Sequence, residues 1–288
     1  MAAQKTNDVA DEIGIEILPI SVHHTRHQTL DRMIDHAWRI TALPLLLFII
    51  IPIIMLFTRA MPMNLVESLG EKQVQLAIWV SLKTTLISLG IIVILGTPLS
   101  YLIGRHRFRF KRLAEAVIEL PILLPPSVAG LALLLTFGRQ GLFGSWLESA
   151  DWQVSFTQTA VILVQVFIAA PFFVRTAALG FATVDQEIIQ AAQLDGANRW
   201  QVFQQVVFPL SKSALIGGSM MSWARALGEF GATIIFAGNF IGRTQTMPTA
   251  IYLGFEMDLD TALTLSVILV VVSFGSILLV KWLVGGRE

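Results

Sequence analysis

Thr183 to Pro209, TVDQEIIQAAQLDGANRWQVFQQVVFP, is a polar island in an apolar chain, and its pattern predicts two short helices joined by a tight turn. Thr183 and Gln186 have the spacing of a capping box, in which each can satisfy a free backbone donor of the other. Ile188, Ile189, Ala192 and Leu194 follow at roughly helical intervals. Asp195-Gly196 then supplies a stop, because a left-handed turn costs glycine nothing. Asn198 is placed to cap a second helix with Val202, Phe203, Val206 and Val207 as its apolar stripe and Pro209 as a stop near its end. The expected product is a compact, rigid knob.

The rest of the chain says where such a knob would sit. Of 288 residues, 55% are hydrophobic and only 14% charged, and the mean hydropathy is +0.70; that is too apolar for an ordinary soluble domain of this size. Net charge is zero, which gives no basis for a nucleic-acid partner, and the absence of cysteine excludes disulfides, thiolate catalysis and cysteine-ligated metals. His23, His24 and His27 lie together in a polar arm, but no carboxylate or cysteine completes a ligand set, so no metal site is expected.

Residues 1–38 are polar and mixed in charge, lack the apolar core of a signal peptide, and are expected to form a flexible cytoplasmic tail. Residues 39–288 are expected to form the transmembrane domain. Charge-free windows at 40–58, 84–104, 120–138, 152–174 and 261–280 are each long enough to cross a bilayer. A sixth, 213–242, is interrupted only by Arg225 and Glu229. The expectation is an all-α integral membrane protein with six transmembrane helices per chain. Placing the basic run Arg105-His106-Arg107-Phe108-Arg109-Phe110-Lys111-Arg112 in the cytoplasm puts fourteen Lys and Arg inside and four outside, with two within spans. The positive-inside rule favours that orientation, with both termini and the 183–209 knob cytoplasmic.

Two spans carry unusual chemistry. Pro121, Pro125 and Pro126, followed by Ser127, remove backbone donors from the third span, which a membrane tolerates where the freed carbonyls face protein or a water-filled cavity. Either a kinked packing helix or a broken helix lining a path fits this pattern. In the fifth span Arg225 lies mid-segment, where a charge costs at least about 2.5 kcal/mol on insertion scales. Glu229, four residues on, is on the same helical face and would pair with it. The pair either stabilises the bundle or also offers positive potential to a passing anion.

The knob closely resembles the EAA loop of ABC-importer permeases, a pattern of Glu-Ala-Ala, three residues, Gly, nine, Ile, one, Leu-Pro. Here Gln190-Ala191-Ala192, Gly196, Val206 and Phe208-Pro209 keep every spacing, with Gln190, Val206 and Phe208 as departures. The resemblance implies that the loop docks on an ATPase subunit, with Glu187, Gln190, Ala191, Ala192, Asp195, Gly196, Arg199 and Pro209 at the coupling surface. The run Arg225 to Thr233, then Ala237-Gly238-Asn239 and Gly242-Arg243-Thr244-Gln245-Thr246-Met247-Pro248, is similar to the molybdate permeases; sulfate permeases share the Gly228 to Gly231 core and differ downstream. The proline-rich stretch resembles those of both groups. The implied assembly is a type I importer of a tetrahedral oxyanion in a prokaryotic plasma membrane. It would hold two such chains, identical by the family's habit; two ATP-binding cassette subunits carrying ATP and Mg; and an external binding protein for molybdate or tungstate. Pro125, Pro126, Ser127, Arg225 and Glu229 would line the substrate pathway.

Other classes fare worse. No Gly-Lys pair occurs, so no phosphate loop is present and ATP must be hydrolysed on another chain. No span carries a histidine or paired carboxylates for acid–base work, so neither catalytic residues nor a bound cofactor is expected. An ion-coupled secondary transporter, the more distant alternative after a sulfate permease, usually needs several ionisable groups in its spans, and Glu229 is the clear carboxylate here.

Overall fold

A computed structural model describes residues 24–60 and 67–285, all helices and connections with no strand among the described residues. The chain divides into two units, 1–55 and 56–288. The first consists, among its described residues, of most of α1 (His24–Arg59), whose segment Ala37–Arg59 contains an 18-residue window of mean hydropathy 2.9 and is long enough to cross a bilayer. Helix therefore begins inside the stretch expected as a tail. Residues 1–23, and the side chains of the histidine arm, lie outside the described residues.

The second unit is built on α2 (Lys72–Arg105) and α6 (Gln158–Ala182). Hydrogen bonds link them at Lys83–Gln158 and Ser88–Gln165, and from Arg105 to the backbone carbonyl of Val184 just past α6, sequence separations of 75, 77 and 79, so the two helices run parallel. Buried Thr84, Thr85, Ser88 and Gln165 form a polar seam: Gln165 Nε2 donates to Thr84 Oγ1 (3.1 Å) and Ser88 Oγ to Gln165 Oε1 (2.9 Å). Between them lie α3 (Lys111–Leu123), α4 (Pro126–Phe137) and the short α5 (Gly144–Ser149), with α3 and α4 bent by 113° at their break. Because α2 and α6 both end near the knob, the bent pair must carry the chain back across. It is a broken crossing, and the break falls at Leu124-Pro125, where two successive prolines donate nothing. Pro121, expected to share in the break, lies inside α3.

After the knob, α9 (Lys212–Leu227) runs antiparallel to α6, with Ser211 Oγ on Gly180 O (3.1 Å) and Ser222 Oγ on Ala169 O (2.8 Å). It stops at Gly228, and a second piece, α10 (Gly231–Phe236), completes the passage, its last carbonyl accepting from Phe156 N just ahead of α6. The window 213–242 is thus two helices of 16 and 6 residues, not one continuous span. A further helix, α11 (Met247–Met257), which the charge windows did not indicate, precedes α12 (Leu259–Gly285), and Thr261 donates to Glu71 at the opposite end from the knob. By length and apolarity four helices among the described residues qualify as crossings, five with the bent pair. The chain directions add α9 with α10 as the remaining one.

Two helices run past the charges that bound the windows. Charge-free windows place edges at Lys83 and Arg175, yet both lie inside helices, each beside a polar partner: Lys83 Nζ reaches Gln158 Oε1 (3.0 Å) and Arg175 Nε lies 3.7 Å from Glu119 Oε1. Hence 84–104 becomes Lys72–Arg105 and 152–174 becomes Gln158–Ala182. At 34 residues, α2 is about 51 Å long and must overrun a hydrocarbon core of about 30 Å.

Candidate functional site

The knob forms as two helices, with one change of cap. Asp185, not Thr183, caps α7 (Gln186–Leu194), accepting from Glu187 N (2.9 Å); Thr183 closes α6, its Oγ1 donating to Gly180 O (2.9 Å). Gly196 has φ +90°, and its neighbour Ala197 donates back to Ala192 O (3.0 Å), so the turn needs a left-handed residue there. Asn198 and Gln201 make a reciprocal capping box that opens α8 (Arg199–Val202). Pro209 does not end it. The chain widens into a π-helical turn, Phe203–Val207, in which Phe208 N reaches Phe203 O, and continues through Phe208–Leu210. The wider turn gives room for a ring that would otherwise clash with the carbonyl four residues back.

Ile189, Val202 and Val207 are buried in a cluster with Ile103, Phe181 and Leu215, and Ala192, Phe203 and Val206 pack against it. Ile188 and Leu194, expected on the same apolar face, point outward, Leu194 being 88% exposed. Ala192 therefore seats the knob on its base, whereas Glu187, Gln190, Ala191, Asp195, Gly196, Arg199 and Pro209 are exposed with Leu194 and Trp200. Tyr101 touches both Phe181 and Phe203 edge-on (5.6 and 5.2 Å), and Trp200 stacks on Phe203 (5.6 Å). Arg105 completes the seat. Its guanidinium donates to Val184 O (2.8 Å) and Gln186 Oε1 (2.5 Å), tying the end of α2 to the junction of α6 and α7. Sequence reasoning counted Arg105 only as one cation of a basic run.

The second candidate region joins the two breaks. A Cβ on Gly231 would lie 2.6 Å from Pro126 Cβ, so α10 begins directly against the start of α4. Glu229 lies in the gap between α9 and α10, its side chain 1% exposed and Oε2 2.8 Å from Arg225 Nη1, while the Arg225 side chain keeps 31% exposure. Glu229 Oε1 also accepts from Ala232 N (2.9 Å). One carboxylate thus neutralises the arginine and satisfies a free donor at the start of α10. The expected pair is present, although Glu229 stands outside the helix. Pro125, Pro126 and Ser127 are exposed on the chain, and Pro126 is brought within two residues of Glu229 by its contact with Gly231. The downstream run folds into a loop stitched to α2: Phe240 N donates to Thr244 Oγ1 (3.0 Å), Met247 N to Ser81 Oγ (2.7 Å) and Asn239 Nδ2 to Thr249 O (3.2 Å). Gln245 is fully buried there with neither amide atom hydrogen-bonded.

Among known proteins, the chain is 41% identical over 201 residues to the molybdenum transport system permease protein ModB of Mycobacterium tuberculosis, covering 69% of this chain and 75% of that one. It is 32% identical over 216 residues to the sulfate transport system permease protein CysW of Escherichia coli K12, covering 74% of each. A bacterial alginate ABC transporter, solved with its pentasaccharide-bound periplasmic protein, contains a chain of the same fold: TM-score 0.71, 17% identity, covering 89% of this chain and 95% of that one. The family model for "Binding-protein-dependent transport system inner membrane component" matches residues 96–285, which span the basic run, both helix breaks and the whole knob, and this protein belongs to that family.

Proposed function

We propose that this chain moves molybdate, or its near twin tungstate, through a path shared by two copies of itself. Two ATPase subunits carrying ATP and Mg would act at the knob end, and a binding protein would deliver substrate at the other. The observation that carries the pathway is the Arg225–Glu229 pair at the junction of two broken helices. A buried carboxylate holds a guanidinium that is still partly open, so the empty site is neutral while a donor of positive charge faces outward. The similarity to a molybdenum permease, greater than that to a sulfate permease, supports the choice of anion.

Alternating access then follows from the knob. Closure of the ATPase dimer pushes the exposed face around Leu194, and Arg105 with the Tyr101–Phe203 contact passes the displacement to α2 and α6. Both termini would be cytoplasmic in a prokaryotic inner membrane, and no ATP would be hydrolysed on this chain. Vesicles holding permease, ATPase and binding protein test the reading: uptake should require ATP, saturate with molybdate and be competed by tungstate, with sulfate far weaker. Uptake that prefers sulfate would assign the chain to the other branch, and uptake driven by an ion gradient without ATP would overturn the reading.

A further inference from the structure

Helix α3 is built inside out for a soluble protein. Glu119 lies 3.7 Å from Arg175 of α6, and Glu115, 3.9 Å from Lys111 one turn back on the same helix, lines with it a hollow against α2 and α6. Phe110, Leu113, Val117 and Leu120, which recur every three or four residues, are 64%, 62%, 60% and 49% exposed. They form one apolar stripe with no protein against it among the described residues. At its start stand Arg107, Arg109 and Arg112, all exposed, and none forms an ion pair among the described residues. Arg109 lies 5.8 Å from the centre of the Phe110 ring, which leaves its guanidinium at the edge of the stripe.

We infer that this surface is a binding site for an anionic phospholipid at the knob end of the bundle. The acyl chain lies along the stripe and the headgroup phosphate is held by the three arginines. Charge decides the occupant. The run from 105 to 112 holds five basic residues and no acid, and Arg105 alone is spent on the knob. A second copy of the chain packed here by the same face would bring the same cluster, setting like charge against like. A zwitterionic lipid would cover the stripe but leave the three cations uncompensated. The inference rests on α3 being the knob-end half of a crossing, and not on the identity of the transported anion.

The absence of cysteine makes the test direct. Ala116→Cys, on the same exposed face, carries a fluorophore in the assembled transporter reconstituted in phosphatidylcholine containing a minority of either doxyl-phosphatidylglycerol or doxyl-phosphatidylcholine. The anionic quencher should win by tens of times or more at low salt, and the preference should shrink as ionic strength rises. Each arginine changed to Gln should lower it about fivefold, and the triple variant about a hundredfold in principle, to parity at most. Quenching by doxyl-phosphatidylcholine should survive in the variants, showing that the helix still faces lipid. Equal quenching by both lipids in the unmodified run would reduce the site to ordinary bilayer contact. No quenching by either would mean that another protein surface covers it. Both results overturn the inference, as does a preference that ignores salt.

Discussion

Gly196→Val isolates one physical term. A Cβ built on Gly196 meets nothing within 4 Å, so the substitution creates no clash; its cost comes from the backbone, held at φ +90°. A non-glycine residue in the left-handed region costs about 1–2 kcal/mol, and a β-branched one falls toward the upper part of a range of roughly 1–3 kcal/mol. If the knob opens locally at a cost of about 2 kcal/mol, within the span seen for surface elements, it is open about 3% of the time. Adding about 2 kcal/mol brings open and closed forms to near parity, so affinity for the ATPase falls about twofold while the docked knob transmits strain through a loosened turn. The order expected for stimulation of ATP hydrolysis by loaded binding protein is Gly, then Asn, then Ala, then Val, because Asn tolerates the left-handed region. Membrane insertion and binding-protein docking should be unchanged. The assay is ATPase copurification together with the rate with and without loaded binding protein. A Val variant that matches the unmodified protein in both would refute the argument and remove the main support for coupling through this segment.

Other outcomes follow from the same geometry. Glu229→Gln should destabilise by roughly 3 kcal/mol, since it strands a mostly buried arginine, and Arg225→Met with Glu229→Gln should restore folding, read by thermal unfolding in detergent, yet transport poorly; normal uptake by a well-expressed double variant would end the pathway role. Arg105→Met should leave transporter assembly intact but uncouple it, giving basal ATP hydrolysis with little stimulation, whereas stimulation at the unmodified level would show that the knob is held by packing alone. Cysteines at Phe110 and Asp195 should be shielded from impermeant reagents in intact cells, and those at Ser145 and Asp258 should react; labelling at Asp195 from outside would invert the topology. The Asp258 carboxyl is held below its usual pKa of 3.8 by hydrogen bonds from Thr261 and from the backbone at the start of α12. Its contribution is therefore complete above that value and lost as pH falls through the lower folded pKa. Asp258→Asn should be less stable than the unmodified protein near pH 6, with the gap closing on acidification; a gap that is constant with pH would deny the capping role.

Much was legible in the sequence because it depends on local chemistry. Gly196 between two periodic segments, Asn198 ahead of a helix and the spacing of Arg225 and Glu229 depend on neighbours one turn away, so spacing alone identifies them. The apolar windows announce crossings because a bilayer demands long apolar runs of any chain. Tertiary structure decided what has partners far along the chain. Lys83 and Arg175 lie inside helices beside Gln158 and Glu119, partners 75 and 56 residues away that no window of residues contains. Only the fold sets Arg105 beside Val184, separated by 79 residues, and turns it from one cation of a run into the tie that seats the knob. It likewise put Pro126 against Gly231, bringing two breaks that spacing treats separately into one junction. Local rules state which segments bend; packing, which chooses the nearest neighbour among many apolar faces, decides where the bends meet.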